Sequence, residues 1–82
     1  MVIDMYEYTI CKEANNKEFE AACNKIEKIF PNIEVVSDLM DVDGSQIKTF
    51  RKDGKTIKVY NDYEVDAVFI DSEIDISHIF VV

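Results

Sequence analysis

The densest group of chemically active side chains lies between residues 59 and 76, VYNDYEVDAVFIDSEIDI. Carboxylates at such density could bind a hard cation, act as acid and base, or attract a cationic partner. This stretch holds six acidic residues and no Lys or Arg: Asp62, Glu64, Asp66, Asp71, Glu73 and Asp75. The elements that carry these residues decide among the three chemistries.

Alternation along a strand favours a surface over a chelate. Alternate side chains of a strand share a face. The acids of residues 62–66 would therefore point outward from one strand, with Tyr63 and Val65 on its other side. The acids of residues 71–75 would form a second outward ridge. We predict two acidic ridges on packed strands, and we expect that Asp62, Glu64 and Asp66 can be replaced together by Lys without unfolding the chain.

The alternating oxygens of residues 71–75 resemble the ligand pattern of an EF-hand loop. That loop requires Gly at its sixth position and Glu at its twelfth, where this chain has Ile76 and Val82. We therefore predict no metal site and no cofactor.

Residues 39–45, LMDVDGS, resemble the first motif of haloacid dehalogenase-type phosphatases. The resemblance implies Asp41 as nucleophile and Asp43 as acid/base. That family's fold is a much larger α/β domain with a downstream Lys and further acids for magnesium, which 82 residues cannot supply. The chain has one histidine, His78, and no Gly-rich phosphate loop. We predict that the protein is not an enzyme and that Asp43 and Gly44 form a turn.

Composition limits the class of protein and its partners. The 82 residues predict one domain, residues 1–82, and 48% hydrophobic content is typical of a folded chain. Apolar runs are short and the N-terminus lacks a leader pattern, so we expect a cytoplasmic protein without a membrane partner. The net charge of −8 argues against direct nucleic-acid binding. Five of the nine bases lie in residues 48–58, where they would protect a hairpin edge from aggregation.

Local patterns predict the elements. Residues 2–12 are rich in β-branched and aromatic types, which favours a strand. Residues 16–30 carry one apolar stripe at helical spacing, with Asn15 as N-cap and Pro31 after the end. The stripe predicts burial of these side chains: Phe19, Ala22, Cys23, Ile26, Ile29 and Phe30.

The remainder predicts an antiparallel sheet. Two Asp-Gly pairs, at 43–44 and 53–54, favour two-residue type I′ turns. They divide a meander of strands at about 33–42, 45–52 and 55–61, and a further strand follows at about 65–70. The fold class is then α+β, a two-layer sandwich with one amphipathic helix on a mainly antiparallel four- to five-stranded sheet in the order β-α-β-β-β-β.

These observations favour a small acidic, non-enzymatic protein-binding domain. We interpret it as an inhibitor of the immunity-protein, antitoxin or anti-defence type, docking on a basic protein such as a nuclease. Tyrosines would anchor the interface. The predicted binding residues are Tyr60, Asp62, Tyr63, Glu64, Asp66, Asp71, Glu73 and Asp75. The alternative is a structural or regulatory homodimer that pairs through the C-terminal strand HIFVV.

Overall fold

The computed structural model describes residues 5–80, which form one α-helix and a five-stranded antiparallel sheet. The elements are β1 (Tyr6–Cys11), α1 (Asn16–Ile29), β2 (Glu34–Met40), β3 (Gln46–Lys52), β4 (Lys55–Asp62) and β5 (Ala67–Ser72). The strands lie side by side in the order β1-β5-β4-β3-β2. The predicted α+β fold and element order are confirmed. Residues 2–4 of the predicted first strand lie outside the described residues.

The core forms between α1 and one face of the sheet, where alternate strand residues point toward the helix. The segment after β5 covers one side of this core with Ile76 and Ile79. The buried apolar side chains are Phe19, Ala22, Cys23, Ile26, Phe50, Ile57, Val59, Val68, Ile70, Ile76 and Ile79. We refer to this side of the sheet as the helix face and to the opposite side as the open face.

The helix begins and ends at the residues that its chemistry favours. The Oδ1 atom of Asn15 accepts a hydrogen bond from the backbone N–H of Glu18 at 3.1 Å, which confirms Asn15 as N-cap. Phe30 has φ −118° and ψ 76°, because a residue before Pro31 avoids helical geometry. The helix therefore ends at Ile29, which is 49% exposed and is not buried as the stripe predicted, whereas Phe30 is partly buried against the core.

The hairpin between β3 and β4 has the predicted geometry. Asp53 (φ 52°) and Gly54 (φ 79°) are both left-handed, as a type I′ turn requires. This turn sets the register, which places Phe50 opposite Ile57 as expected from a two-residue loop.

The hairpin between β2 and β3 differs from the prediction. Gly44 has a positive φ of 92°, whereas Asp43 is not among the left-handed residues. The N–H of Asp41 donates to the carbonyl of Ser45 (2.7 Å), and the N–H of Gly44 donates to the carbonyl of Asp41 (3.1 Å). This is a three-residue loop with Gly in the left-handed position. The Asp43 carboxylate favours it by accepting from the N–H of Ser45 at 2.9 Å.

The predicted strand at 65–70 begins later than expected. Residues 63–66 form a turn between β4 and β5, and Asp66 has φ 56°. A left-handed residue cannot continue a strand, so pairing resumes only at Ala67. The prediction that Asp62, Glu64 and Asp66 share one face of a strand is therefore wrong.

The apolar C-terminal segment packs on its own chain. Residues 77–79 form a turn, in which the N–H of Ile79 donates to the carbonyl of Ile76 at 2.9 Å. Both isoleucines are buried, and the Phe80 ring lies 6.4 Å from that of Tyr8. No strand forms in the described part of HIFVV, and Val81 and Val82 lie outside the described residues. Homodimer pairing through this segment stays a prediction.

Candidate functional site

The loops at 41–45 and 63–66 meet at the same end of the sheet. The N–H of Tyr63 donates to Oγ of Ser45 at 3.0 Å. The Tyr63 ring covers Gly44, where a Cβ atom would lie 3.5 Å from the nearest ring carbon. Two hairpins that are separate in sequence therefore form one surface. We name residues 39–45 and 62–66 together the acidic loop end.

The acidic loop end combines negative charge with exposed apolar area. It contains five acids and no Lys or Arg: Asp41, Asp43, Asp62, Glu64 and Asp66. Five large apolar residues there are exposed: Leu39, Met40, Val42, Tyr63 and Val65. Val42 is 103% exposed, which is the greatest exposure of any large apolar residue in the described chain. Aromatic and apolar side chains inside a charged rim are typical of protein-binding surfaces.

A depression of about 430 Å³ lies on the open face beside this end. Cross-strand pairing places Leu39 opposite Ile47 and Ile47 opposite Tyr60, so these three apolar residues form a row along it. Tyr60 stacks on Phe69 with ring centroids 4.6 Å apart and planes 8° apart, which fixes the tyrosine ring. The depression is rimmed by acids of both loops: Asp41, Asp43, Asp62 and Glu64.

Four of the five acids of the loop end accept backbone N–H groups, and Asp62 and Asp66 hold the turn at 63–66. Oδ1 of Asp62 accepts from the N–H groups of Glu64 (2.9 Å) and Val65 (3.3 Å), which closes the turn. Oδ1 of Asp66 accepts from the N–H of Ala14 at 2.8 Å, which ties the turn to the entry of α1. Replacing Asp62 or Asp66 by Lys would therefore disturb the fold, contrary to the expectation that both simply point outward.

Asp41 and Asp43 accept from the N–H groups of Val42 (2.7 Å) and Ser45 (2.9 Å) within their own loop. The bond from Ser45 lowers the pKa of Asp43, so its carboxylate stays ionised. Glu64 is exposed, and its carboxylate has no hydrogen-bond partner within residues 5–80. Glu64 is therefore a charge that can be altered without breaking a described contact.

Two predicted binding residues lie on the open face. Tyr60 borders the depression, and Asp71 lies directly opposite Lys58 on the neighbouring strand. Burial raises the pKa of Tyr60, and the negative charge of Asp71 raises it further. Cross-strand neighbours of opposite sign attract, so the charge of Lys58 partly offsets that of Asp71 on this face.

Two others lie away from the loop end. Oε1 of Glu73 accepts from the Thr56 N–H at 2.9 Å and from Thr56 Oγ1 at 2.7 Å, and these bonds lower its pKa. Asp75 accepts from the N–H and hydroxyl of Ser77 and from the hydroxyl of Tyr8, and the bonds from Ser77 are the main cause of its lowered pKa. Both carboxylates hold turns.

The eight predicted binding residues therefore do not form one surface. Those at the acidic loop end are Asp62, Tyr63, Glu64 and Asp66. Tyr60 and Asp71 occupy the open face, while Glu73 and Asp75 hold turns elsewhere. The sequence reasoning missed Asp41, Asp43, Leu39, Met40 and Val42. The predicted meander could have indicated that the two loops lie together, because alternate hairpins of an antiparallel sheet lie at the same end.

Three bases of β3 contact other side chains of the chain. Lys52 lies 5.6 Å from the Phe30 ring centroid, and Arg51 pairs with Glu34 at 3.6 Å. Lys48 pairs with Glu27 at 3.4 Å and lies 5.4 Å from the Phe50 ring centroid. Lys48, Arg51 and Lys52 therefore interact with side chains of their own chain.

The described residues contain no assembled metal centre. No group of three or more His, Cys, Asp or Glu side chains in residues 5–80 is arranged to hold a metal ion. Burial raises the pKa of Cys23 to about 12, so this thiol is a poor nucleophile. The part of the chain with coordinates contains no helix that is both long and apolar enough to cross a membrane.

No family model, curated protein or solved structure matches this chain.

Proposed function

We propose that the protein is a non-catalytic binding domain that docks its acidic loop end on a basic surface of another protein. The class of partner that fits best is a nuclease or another nucleic-acid-binding protein, which the domain would inhibit. One observation carries the proposal: residues 39–45 and 62–66 form one surface that holds five acids and five exposed apolar residues and contains no Lys or Arg.

The two components of this surface have different tasks. Single-sign charge accelerates encounter with a cationic surface and competes with phosphate for it. Exposed apolar and aromatic side chains supply the short-range energy, and Tyr63 is the natural anchor because aromatic residues are enriched among energetic hot spots. A solvated surface would usually mix both charge signs.

Rigidity of the loops also supports the proposal. Asp62 closes its own turn, Asp66 ties that turn to the helix, and Tyr63 joins the two loops. A surface that is already ordered loses less conformational entropy on binding, which favours affinity. The loop end would therefore act as a preformed docking surface.

Substitutions at Val42 test the proposal, because a positive or a negative charge can be placed at the same exposed position. Its side chain is fully exposed, so Val42→Lys and Val42→Glu should both leave stability within about 0.5 kcal/mol. A partner is first captured from cells of the source organism with the wild-type chain. Association rates are then measured at low and high salt. At low salt we expect the Lys variant to associate about two- to threefold more slowly and the Glu variant faster, with both differences shrinking at high salt.

Two controls complete the design. Val42→Ser removes the apolar side chain without charge, and separates the loss of apolar contact from the electrostatic effect. Lys55→Glu adds negative charge at the opposite hairpin, where Lys55 is exposed, and should change the association rate less than Val42→Glu does. Equal rates for the Lys and Glu variants at position 42 would contradict the proposal.

A further inference from the structure

Strand β2 lies at the rim of the sheet and is uncovered on both faces. It pairs with β3 on one side, and no other strand within residues 5–80 pairs with its outer edge. The helix packs over β4 and β1 instead. Every residue of β2 except Ser37 is exposed. The outer edge therefore presents backbone groups and side chains to an incoming chain.

The hydrogen-bond register identifies the outward groups. Asp41 donates its N–H to the carbonyl of Ser45, so this pair is hydrogen-bonded. Hydrogen-bonded and non-hydrogen-bonded pairs alternate along an antiparallel ladder. Leu39 is therefore bonded to β3, whereas Asp38 and Met40 direct their N–H and C=O groups away from it. These two residues supply the donors and acceptors of the free edge.

The side chains of β2 indicate which chain would fit. Val35 and Met40 are exposed on the helix face, and Leu39 is exposed on the open face. Residues 31–47 contain four acids and no base. On the neighbouring strand Arg51 pairs with Glu34 at 3.6 Å and Lys48 lies opposite Asp38, so Asp41 and Asp43 supply most of the uncompensated negative charge beside the edge. Exposed edge strands are commonly protected by Lys or Pro, and β2 contains neither. The bulge near Val36 interrupts the pairing with β3, and residues 37–40 form the regular part of the edge.

We propose that an extended segment of a basic partner pairs with β2 as a sixth strand, with basic residues between apolar ones on each face. This inference rests on the proposed function, because it describes how a basic partner would attach beside the acidic loop end. The charge of β2 disfavours a second copy as the occupant. Pairing two β2 strands would place two acidic edges side by side with no Lys or Arg on either β2 strand, in a chain whose net charge is −8.

Synthetic peptides test this chemistry directly on the intact protein. The probe contains two repeats of Lys-Val-Val-Lys, which places lysine and valine alternately on each face of an extended chain. The matched control replaces each lysine by glutamate. We expect the lysine peptide to bind and to slow hydrogen exchange of the Asp38 and Met40 amides. The glutamate peptide should bind at least tenfold more weakly.

A pair of variants at Asp38 separates backbone pairing from charge. Asp38→Pro removes an outward N–H without removing a bond to β3, a position where edge strands tolerate Pro. Asp38→Ala removes the charge and keeps the N–H. We expect the Ala variant to bind the peptide about two- to fivefold more weakly than wild type, and the Pro variant at least tenfold more weakly. Melting curves of both variants verify that the chain remains folded, and Met40→Pro against Met40→Ala repeats the comparison if the first Pro variant unfolds.

Each result has a defined meaning. Equal binding of the two peptides, or equal affinity of the Pro and Ala variants, overturns sixth-strand pairing. Protection of the Asp38 amide without peptide, together with a dimer by sedimentation, would show that a second copy occupies the edge. If the association rates of the Val42 variants depend on the sign of the charge but the peptide does not slow hydrogen exchange of the β2 amides, only sixth-strand pairing fails. If the Val42 variants also show no difference, the proposed function fails as well.

Discussion

Ile26 provides the sharpest test of how the helix is held on the sheet. Its side chain is 0% exposed and lies in the same core as Phe50 and Ile57. Ile26→Ala removes three carbon atoms from a filled site, which costs about 2–5 kcal/mol through lost burial and the cavity left behind. A domain of this length is stabilised by about 4–12 kcal/mol in total. The variant should therefore lose a large share of its stability.

The measurement is urea unfolding followed by circular dichroism, with Ile29→Ala as the matched control. Ile29 undergoes the same chemical change on the same helix but is 49% exposed. We expect Ile29→Ala to lower the free energy of unfolding by about 1 kcal/mol or less, because the side chain is only half buried and Ala favours the helix slightly. If both variants lose the same free energy of unfolding, or if Ile26→Ala loses less than about 0.5 kcal/mol, the packing described here is incorrect.

Three further predictions concern single side chains with defined contacts. Asp66→Ala and Asp66→Gly both lose the acceptor at the helix entry, but Gly suits the left-handed backbone. The free energy of unfolding of the Gly variant should therefore be about 1 kcal/mol higher than that of the Ala variant, and equal stabilities would argue against this backbone strain. Cys23 should resist a thiol reagent at pH 8 in the folded protein and react after unfolding, because burial raises its pKa; rapid reaction in the folded state would contradict this. The pKa of Glu73 lies below its ordinary value of 4.5 in the folded state, so the bonds from Thr56 stabilise the protein above that pH and this contribution is lost as the pH falls through the folded pKa. The stability of Glu73→Gln should therefore differ most from wild type near neutral pH and approach it as the pH falls below the folded pKa of Glu73, and a constant difference would refute the linkage.

Local chemistry made much of the fold predictable. The apolar stripe from Phe19 to Ile26 and the N-cap at Asn15 determine the helix, because both depend on neighbours within a few turns. Asp53 and Gly54 determine a turn, and through it the register of β3 against β4. The bulk charge of −8 indicated the sign of the partner that we propose.

The candidate surface was less predictable because it depends on contacts between distant residues. An acidic stretch appears the same in sequence whether its carboxylates face solvent or accept backbone hydrogen bonds. Asp66 bonds to Ala14 across 52 positions, and Glu73 bonds to Thr56 across 17. These pairings exist only once the sheet is assembled, so the sequence interpretation treated both carboxylates as free charge.

The sequence by itself determined the helix, the β3–β4 hairpin and the excess of negative charge, since each follows from residues that are near neighbours along the chain. Only the tertiary structure decided which acids are free and which apolar residues surround them. Tyr63 must contact Ser45 before the two loops form one surface, and β2 must lie at the rim before its edge is open. Both conditions depend on strand order, which is a property of the whole sheet.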